Sequence, residues 1–161
     1  MPTTYRLDLA NRVVYSRAWG VVCDEEFEAH SRALKADARF APDFRQLQDL
    51  VDVTEPRLTP AGLRRVAGLN PFGRHARRAV LVASDIAFGF ARMHEMLRVD
   101  AEDELQVFRD RAAALAWLGL PAGWTPPPVS PADRVFEIAG ASGADTAPRE
   151  PGAGKGTGDG V

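Results

Sequence analysis

Ala79-Val80-Leu81-Val82-Ala83 is a continuous apolar run of five residues. It is too short for a helix of ordinary length and holds two β-branched residues. It therefore reads as a strand covered on both faces. A strand covered on both sides needs layers above and below it, and the flanking patterns supply them. Ser84 or Asp85 can start a helix directly after the run, with Ile86, Phe90, Met93 and Leu97 as its expected inner stripe. Leu105–Phe108 then reads as another strand. Asp110 can cap a last helix with Leu115 and Leu118 inward, and Gly119 followed by Pro121 stops it.

The first half follows the same logic. Tyr5, Leu7 and Leu9 alternate with polar residues, as in a half-buried strand, and Ala10-Asn11 can turn the chain into a second strand over 12–19. Asp24 is placed to cap a helix over 25–36, with Phe27, His30 and Leu34 on its inner stripe. A third strand is expected over 47–53. Thr59-Pro60 marks the next helix start, an N-cap followed by proline at the first helical position, with Leu63, Val66 and Ala67 inward. The order β-β-α-β-α-β-α-β-α predicts an α/β fold: a mixed, mostly parallel five-stranded sheet with about four helices.

Composition divides the chain. Of its 161 residues, those from 121 to 161 carry 8 of the 14 Gly and 7 of the 12 Pro, and they hold the whole formal charge of −2. The expectation is an α/β domain over 1–120 and a Pro/Gly-rich, largely disordered tail over 121–161, with disorder strongest beyond Gly140. One cysteine, Cys23, cannot form an internal disulfide. No apolar stretch approaches the ~20 residues of a membrane span, and the start lacks a leader's apolar region, so a cytoplasmic location is expected.

Four strings resemble a bacterial group. Phe40-Ala41-Pro42-Asp43-Phe44-Arg45-Gln46-Leu47 runs into Asp49-Leu50-Val51-Asp52-Val53-Thr54, and Asn70-Pro71-Phe72-Gly73 and Ala87-Phe88-Gly89-Phe90-Ala91-Arg92-Met93 follow. With the element order, they are similar to the STAS-like proteins: anti-sigma factor antagonists, the cytosolic domains of sulfate transporters, and a single-domain branch grouped with lipid-binding Sec14 folds. The resemblance covers residues 5–120. It implies a STAS-like fold and a non-catalytic regulatory or protein-interaction domain. The alternative, from the Sec14 side, is a small-molecule or lipid-binding module with an apolar cavity near Phe88, Phe90, Met93 and Met96. Fold alone does not decide between them.

The resemblance also implies a switch region. Anti-sigma antagonists carry Asp-x-Ser/Thr at the end of the third strand, and a phosphorylated hydroxyl precedes Ser-Gly-Leu at the next helix. Here Asp52-Val53-Thr54 matches the first element, and Gly62-Leu63 is kept from the second. Pro60 and Ala61 occupy the phosphoacceptor region, leaving Thr59 as the nearby hydroxyl. Asp52, Thr54, Thr59 and Gly62 are therefore the candidate switch or phosphate residues.

Other side chains suggest a surface for a partner or ligand. Arg64, Arg65, Arg74, His75, Arg77 and Arg78 cluster around the second helix and the loop after it. Phe72 lies in that loop, and Phe88 falls off its helix's inner stripe beside Arg92. Arg64, Arg65, Phe72, Arg74, Phe88 and Arg92 are the candidate surface, for a protein partner, a second copy of the chain or a small apolar ligand. Nucleic acid is not expected, because residues 1–120 are charge-balanced and no basic face is interleaved with aromatics. His30, His75 and His94 lack metal-ligand spacing, and Asp24, Glu25 and Glu26 disfavour a reactive Cys23 thiolate. Gly152-Ala153-Gly154-Lys155-Gly156-Thr157 looks like a phosphate loop, but the loop's first glycine would fall at Arg149. No catalytic constellation, cofactor or metal is expected.

Overall fold

In the computed structural model, residues 3–131 and 134–136 are described. The chain forms β1 (Thr3–Asp8), β2 (Val13–Ala18), β3 (Gly20–Cys23), α1 (Asp24–Ala36), β4 (Arg45–Asp49), β5 (Val53–Arg57), α2 (Pro60–Gly68), β6 (Arg77–Leu81), α3 (Asp85–Leu97), β7 (Glu104–Phe108), α4 (Arg111–Trp117) and β8 (Arg134–Phe136). The expected mixed α/β fold is present. The main sheet has the order β7-β6-β4-β2-β1-β8. Its four strands β2, β4, β6 and β7 are parallel, and β1 pairs antiparallel with β2. These are the expected opening hairpin and the crossovers that follow it.

Two expected strands each divide. The expected third strand, 47–53, ends at Asp49, and the chain turns at Val51-Asp52 before β5. The expected second strand stops at Ala18, and Gly20, at φ +67°, redirects the chain into β3. Glycine occupies that left-handed region without a Cβ penalty. β3 and β5 then pair in parallel as a separate two-stranded ribbon. Gly20 marks the second break locally, whereas the apolar pattern runs through Leu50-Val51 and nothing short-range marks the first.

Alternation along the strands gives the sheet two different faces. Val13, Tyr15, Leu47, Ala79 and Leu81 pack against Leu115 of α4 and Leu118 at its C-cap. The other face carries Tyr5, Leu7, Val14 and Val80 in apolar clusters, together with the buried polar residues Ser16, Gln46 and Arg78. Helices α1 to α3 cover it. The inner stripe of α3 is rotated from the expected one. Ala87 and Ala91 face the sheet, whereas Ile86 is 64% exposed and Met93 37%. The small alanines let the helix approach Val80, Val82 and Leu105 closely.

Thr59, Ser84 and Asp110 are N-caps, their side chains accepting from the backbone N–H groups of Gly62, Ala87 and Ala113. Packing continues beyond residue 120. Trp124 is buried against Tyr15, and its indole N–H donates to Asp8 at 3.0 Å. Arg6 Nη1 donates to the Pro127 carbonyl at 2.7 Å, and β8 adds antiparallel to β1. The expected disorder beyond Gly140 and the Gly152–Thr157 string lie outside the described residues.

Candidate functional site

A pocket of about 60 Å³ lies between the polar face of the main sheet and helices α1, α2 and α3. Its wall is mostly apolar. Phe27 and Leu34 come from α1, Leu63 and Val66 from α2, and Phe90 and Ala91 from α3. Leu50, Val53 and Leu58 close it from the β4–β5 segment. The sheet contributes Gln46, Gln48, Arg78 and Val80, and His30 and His94 project from α1 and α3.

The polar residues form one network along the sheet. Strand register sets Gln46 opposite Arg78 on the neighbouring strand. His30 Nε2 pairs with Ser16 Oγ at 3.0 Å, and Gln46 Nε2 donates to the same oxygen at 2.9 Å. Arg78 Nε donates to Gln46 Oε1 at 2.7 Å, and Nη1 reaches Asn70 Oδ1 at 3.0 Å and Asp103 Oδ2 at 3.3 Å. Asn70 Nδ2 donates to Asp103 Oδ1 at 2.6 Å, and Arg98 pairs with the same carboxylate. The Arg78 guanidinium also lies 4.5 Å from the Phe72 ring centre. A buried polar group without such partners would carry a desolvation cost of several kcal/mol, which explains why Arg78 is tied at so many points.

Burial governs the titration of these groups. His30 is pushed down to about 4, first by burial and then by the charge of Arg78. His94 is pushed down to about 3 by burial, with Arg78 and Arg98 adding to it. Both imidazoles are therefore neutral at pH 7. Arg78 itself is lowered to about 10 by burial, against the opposing pull of Asp103, and stays charged. His94 Nδ1 is buried without a hydrogen-bond partner among the described residues.

The residues expected from sequence are dispersed. Phe72 is 7% exposed and stacks edge-on against Phe40 inside the domain, so it does not present a surface. Phe88 is half-buried with the Arg109 guanidinium over its ring. Arg64 is exposed on α2, while Arg65 pairs with Glu28, Arg74 with Glu102 and Arg92 with Glu95. Of the residues expected around an apolar cavity, Phe90 lines the pocket, whereas Met93 and Met96 are exposed.

In the expected switch region, Thr54 is exposed and Asp52 pairs with Arg17. Thr59 is not a free hydroxyl. Its Oγ1 donates to Asp24 Oδ2 at 2.6 Å, and its backbone N–H donates to Asp24 Oδ1 at 2.9 Å. Asp24 does not cap its own helix, whose N-cap is Cys23. Its carboxylate instead sits over the N-terminus of α2, where the helix dipole favours an anion. A Cβ added at Gly62 would lie 1.9 Å from Asp24 Cγ, so glycine there makes room for the carboxylate. A phosphate on Thr59 would face this buried negative charge.

Two of the pocket's polar residues carry a sequence signal that the expected basic cluster, which included Arg78, passes over. Arg78 stands two and four residues before Val80 and Val82, so strand alternation puts it on their face rather than in the exposed cluster with Arg77. Gln46 follows from the same rule once the register of β4 is known. His94 and Asp103 have no local signal, because their partners come from distant elements. Among the described residues no group of His, Cys, Asp and Glu is arranged to hold a metal ion, and no helix is long and apolar enough to cross a membrane.

No family model matches the chain, and no curated protein matches it. Among solved structures it is similar to an uncharacterized protein of the DUF3478 family with a SpoIIAA-like fold, from Shewanella loihica PV-4. The identity is 18%, the match covers 66% of this chain and 83% of that one, and the TM-score is 0.44.

Proposed function

We propose that this domain is a binding module for a small, largely apolar ligand held between the sheet and helices α1 to α3. The observation that carries the reading is the pocket itself, an open space of about 60 Å³ walled by Leu, Val and Phe side chains from six elements. A well-packed core leaves few voids of this size, so retaining one in a small domain calls for an occupant. The mostly apolar wall selects by shape and hydrophobicity, and the few polar groups fix orientation. The regulatory reading through a protein partner has less support, since Phe72 is internal and Arg65, Arg74 and Arg92 are already paired with carboxylates.

The test is ligand-observed NMR with 1-hexanol as probe. Wild-type protein should give saturation transfer to the alkyl chain, and Ala91→Phe, which fills the pocket, should abolish it. Equal transfer from both proteins, with Ala91→Phe shown to be folded, would place the alcohol elsewhere and defeat the reading.

A further inference from the structure

Charge counting within the pocket wall narrows the ligand further, resting on the reading just given. Arg78, Arg98 and Asp103 form one buried cluster, with the Asp103 side chain fully buried and those of Arg98 and Arg78 nearly so. Two cations face a single carboxylate, leaving one positive charge without a counterion among the described residues. The imidazoles of His30 and His94 add no negative charge. Asp24 also lines the pocket, but its carboxylate is taken up by Thr59 at the start of α2, with Arg65 at 3.7 Å. Glu26 accepts from the Cys23 backbone N–H, and Glu28 is held by Arg65 and Arg32.

The geometry of Arg78 shows where the excess is available. Nε is bound by Gln46, and Nη1 by Asn70 and Asp103, which fixes the guanidinium plane. Nη2 has no hydrogen-bond partner among the described residues. The residue is only 8% exposed, and it lines the pocket. It is thus a nearly buried cation with a free donor, held rigidly by three neighbours at the edge of an apolar space. Such a donor recognises an oxyanion through a charge-assisted hydrogen bond.

We propose that the pocket takes an organic monocarboxylate, its carboxylate bound at Arg78 Nη2 and its hydrocarbon against the Leu, Val and Phe wall. One negative charge balances the one unpaired positive charge. A dianionic phosphate would overshoot it and strand charge in low dielectric. The hydrocarbon part follows from the wall, which offers apolar side chains from α1, α2, α3 and the β4–β5 segment.

The test compares three six-carbon probes that differ only in the charge of the head: hexanoate, 1-hexanol and hexylammonium, titrated at pH 7 by calorimetry or ligand-observed NMR. The expected order is hexanoate at least about tenfold tighter than 1-hexanol, the size of one hydrogen bond to a charged group, with hexylammonium weakest. Arg78→Gln should bring hexanoate down to the affinity of 1-hexanol and leave 1-hexanol unchanged. If that variant does not fold, the wild-type order decides alone. Equal affinity for all three, or hexylammonium tightest, overturns the carboxylate while leaving an apolar pocket. Binding of none of them overturns the pocket reading as well.

Discussion

Replacing Gly62 by alanine should destabilise the domain, against the usual direction for a helical glycine. In an exposed helix interior, Gly→Ala gains up to about 1 kcal/mol. Here the new Cβ would stand 1.9 Å from Asp24 Cγ and 2.1 Å from both carboxylate oxygens. To reach ordinary carbon contact the two must separate by roughly 1.5–2 Å, and Asp24 cannot move that far while holding Thr59 N and Oγ1 at 2.9 and 2.6 Å. Each of those bonds involves a charged acceptor and is worth about 1.5–3 kcal/mol. Losing both, less the helix gain, predicts a net loss of about 2–5 kcal/mol, or a Tm lower by about 5–20 °C. Urea denaturation and scanning calorimetry measure it. Gly89→Ala on α3 is the internal control, because a Cβ there meets nothing within 4 Å. That variant should be neutral or stabilised by about 1 kcal/mol. In an Asp24→Ala background, Gly62→Ala should cost little, giving a coupling of about 2 kcal/mol or more. If Gly62→Ala is as stable as wild type and shows no coupling to Asp24, then Asp24 does not fill the α2 N-terminus, and the account of the switch region is wrong.

Other consequences follow from the buried network and the segment after α4. His30 and His94 are neutral in the folded protein, with pKa values depressed to about 4 and about 3. Their contribution to stability is complete above pH 6.5, where the unfolded chain is also neutral, and is lost as pH falls toward those folded values. Unfolding free energy should therefore drop by roughly 3–4 kcal/mol between pH 7 and pH 5. The C2 protons of both rings should not titrate over that range by NMR, and a midpoint near 6.5 for either would refute its burial. Arg78→Met should destabilise by about 1–3 kcal/mol by leaving buried Gln46 Oε1 without its donor, measured by urea denaturation, whereas Arg64→Met on the exposed face should stay within about 0.5 kcal/mol. Trp124→Ala should cost about 3–5 kcal/mol through lost packing on Tyr15, and an unchanged midpoint would detach this segment from the core.

Local chemistry made much of the fold readable. Ala79–Ala83 identified the central strand. The hydroxyl or carboxylate caps at Thr59, Ser84 and Asp110 located three helix starts, because a cap acts within three residues of itself. The features that escaped are those set by long-range partners. β5 separates from β4 because it pairs with β3, a choice that Leu50-Val51-Asp52 does not announce. Asp24 looks like a cap for its own helix, yet its carboxylate serves residues 35 positions on. Phe72 looks like a loop aromatic, and only the approach of Phe40 and Arg78 buries it. Of the apolar cavity expected near Phe88, Phe90, Met93 and Met96, only Phe90 lies on the pocket wall; the rest of the wall escaped for the same reason, since each wall residue alone reads as ordinary core. Only the assembled helices leave space between them.

The most direct test of that space is a methyl-resolved 1H–13C NMR titration with 1-hexanol. Saturable shifts are predicted at Leu50, Val53, Leu58, Leu63 and Val66, which line the pocket, and none at Leu115, Leu118 or Val13, which pack on the opposite face of the sheet. Shifts confined to exposed Met96 and Val99, or no saturable shift at millimolar probe, would contradict a ligand-binding pocket between the sheet and α1 to α3.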